Sequence, residues 1–416
     1  MANNFSNQYP GLFQLLVEHQ QDHILKYWNE LSHSQQETFT SQIKSIDFNL
    51  LGRLYAQYKN AQKSPPAEFT PAETISVKTL SQSDIDDAIN NGKTLLKENK
   101  TAILLVAGGQ GTRLGFDGPK GCYPILEDKT LFHIFAEKIA WLNNTHNTQL
   151  DWLIMTSKAT DWPTQKFFAE NNFFGLPFQS IRFFQQDMLP SVDLEGRLIL
   201  DAKDHFAENP NGHGGTLLAL KKSGCLENLQ RKGIEQIFYF QVDNALTRMA
   251  DPFFVGLHAL AGTGMSTKAV RKTNPEEKVG IVGYINNRLG IIEYSEMSEE
   301  QVSRRNDEGS LVFKAANTAI HMLSTGFVDE ETEGEFKLPY HIAIKKIPYL
   351  DNDGNLISPD EPNGIKFETF IFDALGDTKN SVTLEVERDK EFAPLKNASG
   401  PDSPETVREA LLKLPE

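Results

Sequence analysis

Leu104-Leu105-Val106-Ala107-Gly108-Gly109-Gln110-Gly111-Thr112-Arg113-Leu114-Gly115, with Pro119-Lys120 a few residues on, reads as an apolar strand emptying into a glycine-rich loop. Four glycines in eight residues remove the Cβ atoms that would keep a phosphate chain away from the backbone. Consecutive amides in such a loop form an anion nest, so the stretch is expected to bind a polyphosphate. It is not a P-loop, which needs Lys-Ser or Lys-Thr directly after its last glycine; here Lys120 is followed by Gly121. Nor is it the dinucleotide fingerprint, because from Gly109 and Gly111 the third required glycine falls on Leu114. A turn with purely conformational glycines would leave Arg113 and Lys120 unexplained.

Outward from this loop, the chain alternates short apolar runs with helical stretches. Ala102 to Val106, Trp152 to Met155, Ile181 to Phe184 and Ile237 to Val242 read as buried strands, and Leu131 to Leu142 as a helix. The fold class is therefore α/β, a doubly wound, mostly parallel sheet, with small N-terminal helical and C-terminal α+β domains. In such sheets ligands bind beyond the carboxyl ends of the strands, where both the glycine loop and Asp243 fall. Residues 1–97 are expected to form a helical arm, 98–345 the core and 346–416 a C-terminal domain. Within the arm, Leu12, Leu15, Leu16, Ile24, Tyr27, Trp28 and Leu31 recur at helical spacing, and Ser34 and Glu37 have capping-box spacing. Ala61 to Glu73, with three prolines, reads as a linker to a helix around Ile85 to Leu96. Ser403-Pro404 starts a closing helix.

A net charge of −15 argues against nucleic acid as a partner, and cationic groups must instead be gathered locally to hold anionic ligands. No apolar run approaches the ~20 residues that span a bilayer, and the polar start has no secretory pattern, so neither membrane nor export is expected. The location implied is cytoplasmic. The two cysteines, Cys122 and Cys225, offer neither a disulfide framework nor a zinc-ligand spacing and read as free thiols.

The loop resembles the signature of the sugar-nucleotide pyrophosphorylases, Gly-Gly-x-Gly-Thr-Arg-Leu-Gly with Pro-Lys beyond it. Further on stand Phe184-Gln185-Gln186-Asp187-Met188-Leu189-Pro190, Gly212-His213-Gly214-Gly215, Val242-Asp243-Asn244, Lys272-Thr273-Asn274-Pro275, Ile292-Glu293-Tyr294-Ser295-Glu296, Asn363-Gly364-Ile365-Lys366 and Phe392-Ala393-Pro394-Leu395-Lys396-Asn397-Ala398. In this order they resemble the eukaryotic-type UDP-N-acetylhexosamine pyrophosphorylases from about residue 100 onward. The resemblance implies a Rossmann-like nucleotidyltransferase core and a uridylyltransferase reaction. UTP and N-acetylglucosamine 1-phosphate would give UDP-N-acetylglucosamine and pyrophosphate, with Mg2+ as cofactor. The alternatives are a UDP-glucose or broad UDP-sugar pyrophosphorylase, or a UDP-sugar sensor without catalysis.

Residue roles follow from the resemblance. Arg113, Lys120 and Lys396 would neutralise the transferring phosphates, though any one of them could be a solvated surface charge. Gly108, Gly109, Gly111 and Thr112 would line the nucleotide phosphates. Gln186, whose carboxamide offers donor and acceptor, would read uracil with Gly212 beside the ring, and Gln185 is expected to be structural. Asp243 would hold Mg2+, or else merely cap a turn; Asn244 would orient it or turn the chain. His213, Gly280, Glu293, Asn317, Phe370 and Phe372 stand where the family binds the sugar. Glu293 could alternatively enter a structural salt bridge. Phe370 and Phe372, two apart on an expected strand, would face one side, as core residues also do. At His213 the N-acetylhexosamine branch has asparagine, and Gly-His-Gly is closer to the UDP-glucose and UDP-sugar enzymes.

Overall fold

The computed structural model describes residues 4–61 and 67–414. Residues 62–66, part of the segment read as a linker, lie outside the described residues, as do 1–3 and 415–416. The chain forms two compact units, each assembled from separated segments: 1–66, 187–213 and 339–370 in the first, and 67–186, 214–338 and 371–416 in the second. Both expected domain borders, 97/98 and 345/346, fall inside these segments.

The second unit is built on a ten-stranded sheet. Strand Thr101–Val106 is paired in parallel with Gln236–Gln241 on one side and Trp152–Thr156 on the other, and Ile181–Gln185 continues the parallel run. Buried apolar side chains fill these strands because both sheet faces are covered. Phe238 and Phe240 enter the main core with Phe135 of helix Leu131–His146, while the intervening Tyr239 turns to the opposite face. The expected strands and this helix are thus present, with bounds that differ by a few residues.

The sheet is mixed rather than mostly parallel. Ala315–Ser324 runs antiparallel to Gln236–Gln241, Met265–Arg271 and Ile281–Ile285, and the hairpin Ile281–Ile285/Arg288–Ile292 extends this half. Strand polarity is set by long-range pairing and connection geometry, which apolar runs alone do not encode. Helix Gln82–Lys97 crosses helix Pro252–Ala261 at Gly92 and Gly256; a Cβ on either would fall inside the other helix's backbone.

The first unit packs helices Asn4–Gln8, Pro10–Glu18, His33–Ser45 and Phe48–Ala61 around Phe5, Trp28, Phe39 and Ile43, together with Val192, Phe206, Ile365 and Phe367 from its later segments. Its three-stranded sheet joins Tyr340–Lys345, Gly364–Thr369 and Val192–Asp193. The capping box is formed by Ser32 and Gln35, not by Ser34 and Glu37: Ser32 accepts the Gln35 amide while the Gln35 side chain returns to Ser32. Both serine positions have suitable chemistry, and the helix starts at the earlier one.

Candidate active site

The parallel strands of the second unit end level with one another, since Gln241 is opposite Val106, Val106 opposite Met155 and Met155 opposite Phe184. The glycine loop, Ser157, Gln186 and Asp243 therefore leave the same edge of the sheet. The loop closes on itself: Gly111 donates to the Gly118 carbonyl (2.9 Å) and Lys120 to the Gly109 carbonyl (3.0 Å). Two amides are thus spent internally, whereas those of Gly108, Gly109 and Gln110 donate to no backbone carbonyl among the described residues. Thr112 and Arg113 are exposed on the short turn that follows.

Gln185 and Gln186 have different surroundings. The Gln185 side chain donates to Asp161 (2.8 Å). Gln186 is buried with its amide bonded to the Thr156 carbonyl (3.0 Å), and a Cβ on Gly108 would lie 3.5 Å from its carboxamide. Ser157 holds this corner by donating its hydroxyl to the Gly108 carbonyl (2.8 Å).

Asp243, half-buried, follows Gln236–Gln241 at the turn beyond it. Its carbonyl accepts the Leu395 amide (2.8 Å). Asn244 is buried and does not orient the Asp243 carboxylate. Its side chain donates to the Glu391 carbonyl (2.8 Å) and accepts the Ala393 amide (3.1 Å), so it ties the turn to the C-terminal segment. Lys120 donates to the Leu395 carbonyl (3.3 Å). Next along the chain, Lys396 is exposed, and its amide and that of Asn397 both donate to the Asp402 carbonyl (2.7 and 3.0 Å). Asp402, which the sequence reading passed over, has φ +58°. Burial raises its carboxyl above the usual range, opposed by the nearby charge of Lys396, with Asp243 adding a smaller upward push. No residue type marks such a backbone anchor in sequence.

Gly280, Glu293 and Asn317 also come together. The Asn317 amide donates to the Gly280 carbonyl (2.8 Å), and a Cβ on Gly280 would stand 3.4 Å from a Glu293 carboxylate oxygen. The Asn317 Oδ1 accepts the Ala319 amide (3.0 Å) at a residue with φ +55°, where the pairing with Met265–Arg271 shifts register. The side-chain NH2 is therefore the end of Asn317 offered outward.

Phe370 and Phe372 do not share a strand face. The strand ends at Thr369, whose amide and hydroxyl both donate to the Asn211 carbonyl (2.8 and 2.9 Å). Phe372 is buried in the helical turn Ile371–Gly376 of the second unit. Phe370 belongs to the first unit, as do Gly212 and His213. There the Phe370 ring stacks on His213 (5.2 Å between centroids) and lies 4.5 Å from His341. Burial, aided by His341, pushes His213 down to about 4, so its imidazole is neutral at physiological pH. Gly212 has φ +83°, and a side chain there would collide with the Thr369 backbone. Among the described residues no three His, Cys, Asp or Glu side chains form a metal cluster. Both cysteines are free, and burial pushes Cys122 up to about 12 and Cys225 upward as well. No helix among the described residues is long and apolar enough to cross a membrane.

The chain is 39% identical over 413 residues to Homo sapiens UDP-N-acetylhexosamine pyrophosphorylase-like protein 1, covering 94% of this chain and 82% of the relative. It is 37% identical over 428 residues to the Saccharomyces cerevisiae UDP-N-acetylglucosamine pyrophosphorylase, covering 96% and 89%. Its fold superposes on the uridine diphosphate N-acetylglucosamine pyrophosphorylase of Trypanosoma brucei, solved with an inhibitor, with a TM-score of 0.83 at 29% identity, covering 96% and 83%. A family model of UTP–glucose-1-phosphate uridylyltransferase matches residues 48–404. The match over most of the chain shows that it belongs to the UTP–glucose-1-phosphate uridylyltransferase family, beside relatives named UDP-N-acetylhexosamine and UDP-N-acetylglucosamine pyrophosphorylase.

Proposed function

We propose that the protein is a cytoplasmic uridylyltransferase that joins UTP to N-acetylglucosamine 1-phosphate, yielding UDP-N-acetylglucosamine and pyrophosphate. The observation that carries the chemistry is the convergence of Lys120, Asp243 and the Leu395-Lys396 segment beside the glycine loop. A sugar phosphate oxygen attacks the α-phosphorus in line, one P–O bond forms, and the bond to the leaving pyrophosphate breaks. Such a reaction needs alignment and charge neutralisation rather than a protein nucleophile. In this reading the Gly108 to Gln110 amides, Thr112, Arg113 and Lys120 hold the β- and γ-phosphates, and Lys396 neutralises the transferring group. Gln186 meets the uracil edge, and Glu293 and Asn317 meet the sugar hydroxyls and the acetamido carbonyl.

Mg2+ fits this donor set. It takes one or two carboxylates and completes its shell with phosphates and water, so a lone half-buried Asp243 suffices where a protein cage would be superfluous. When bound, the ion would supply positive charge that offsets the negative charge of the phosphates. Asp243 would hold it, and the Asn244 bonds would keep the turn in place.

Pyrophosphate release from UTP and each sugar 1-phosphate tests the reading. N-acetylglucosamine 1-phosphate is expected to give the highest kcat/KM, and UTP to exceed CTP, ATP and GTP by several orders of magnitude. Preference for glucose 1-phosphate would reassign the sugar, and no transfer to any sugar 1-phosphate would leave only a binding role.

A further inference from the structure

Helix Leu131–His146 turns Phe135, Ile139 and Leu142 into the core, and among them stands one partly buried cation, Lys138. Its ammonium donates to the Ala245 carbonyl (2.7 Å) and the Thr247 carbonyl (3.0 Å). Both belong to the turn that begins at Asp243. Across that turn, Asn244 bonds Glu391 and Ala393, and the Asp243 carbonyl takes the Leu395 amide. The turn is thus pinned to the helix by Lys138 and to the C-terminal segment by its own first two residues.

Charge beneath the turn follows the same arrangement. The Glu391 carboxylate pairs with fully buried Lys268 at 2.5 Å. Its field also reaches Lys138 and partly offsets the burial that pulls that lysine down to about 8. One carboxylate therefore serves two lysines. A lysine held only for packing would not need both of its hydrogen bonds on the residues that follow Asp243. Removing it would leave two carbonyls without their charged donor, and the turn could relax.

We propose that Lys138 is a positioning residue for uridylyl transfer, holding the Asp243 turn in register with the Leu395-Lys396 segment. The inference rests on the uridylyltransferase reading. Because a misplacement of about 1 Å can cost a hundredfold in rate, the effect should fall on kcat.

Lys138→Met is compared with the parent by steady-state kinetics and by amide hydrogen exchange at Ala393 and Leu395. The expected result is a kcat lower by about 10- to 100-fold, with KM for UTP within about twofold. Exchange at the two amides should be at least about tenfold faster, since each is a bond that the turn receives. Lys138→Arg should recover part of both. If Lys138→Met does not fold, Lys138→Gln, which keeps N–H donors without charge, carries the same measurements. Unchanged exchange in a folded variant overturns the proposal, whatever the rate does. So does an unchanged kcat in an active enzyme. A parent that transfers uridylyl to no sugar 1-phosphate, with exchange still accelerated in the variant, defeats the functional reading while the tie between turn and segment stands.

Discussion

The Lys120 ammonium donates to the carbonyl of Leu395 while the Leu395 amide donates to the carbonyl of Asp243, so the backbone of one residue joins the glycine-loop cation to the aspartate turn. Lys396 is the next residue. Lys120→Ala and Lys396→Ala are each expected to lower kcat/KM by about a hundredfold or more with folding intact. Because both act through one segment, the double variant should lose less than the product of the single losses. Strictly multiplicative losses would show that the lysines work independently.

Asp243→Asn keeps the backbone bond to Leu395 and removes the carboxylate. The expected outcome is a lower rate together with a higher Mg2+ concentration at half-maximal activity. Titrating Mg2+ against both enzymes checks it; an unchanged Mg2+ response at full rate rules out a metal role for this side chain.

Asn317 has its carbonyl oxygen engaged by the Ala319 amide, which leaves its NH2 as the outward group. Asn317→Asp retains an acceptor for Ala319 but loses the donor. Its KM for N-acetylglucosamine 1-phosphate is expected to rise by about 10- to 100-fold while KM for UTP changes little, as a donor is exchanged for a charged acceptor. Equal rises in both KM values would point to a disturbed sheet instead.

His213 and His258 are both pushed down to about 4, chiefly by burial. Each is neutral in the fold and takes up a proton on unfolding below about 6.5, so the unfolded chain binds more protons in acid. Their contribution to stability is complete above about pH 6.5 and is lost as pH falls toward 4. Urea midpoints measured at pH 7 and pH 5 should therefore drop, and the drop should narrow in His213→Asn. An identical drop in that variant would mean that its imidazole is already charged in the native state.

Sequence legibility followed the range of the interactions. The run from Leu104 to Gly115 could be read directly because apolar strand, glycines and cations are contiguous. That Gln185 and Gln186 face opposite ways could be read from the alternation of side chains along a strand, whereas which of them is the structural one was implied only by the family resemblance. Strand direction in the antiparallel half was hidden, since it depends on how Ala315–Ser324 meets partners that lie elsewhere in the chain. The alternation of Phe370 and Phe372 failed for a similar reason: bonds from Thr369 to Asn211, far upstream, stop the strand one residue before the first phenylalanine. The interleaved units were equally invisible, because a segment's home is set by what it packs against. Lys138 did leave a trace, as a cation on the Phe135, Ile139, Leu142 side of a helix, but nothing local says which carbonyls it reaches.

The thiols carry a practical consequence. Burial pushes Cys122 up to about 12 and moves Cys225 upward as well, which works against thiolate at both positions at neutral pH. The native chain is thus a quiet background for maleimide chemistry. A cysteine introduced at exposed Arg113 or Lys396 would be the fast-reacting thiol, and its labelling rate would report directly whether nucleotide covers that position.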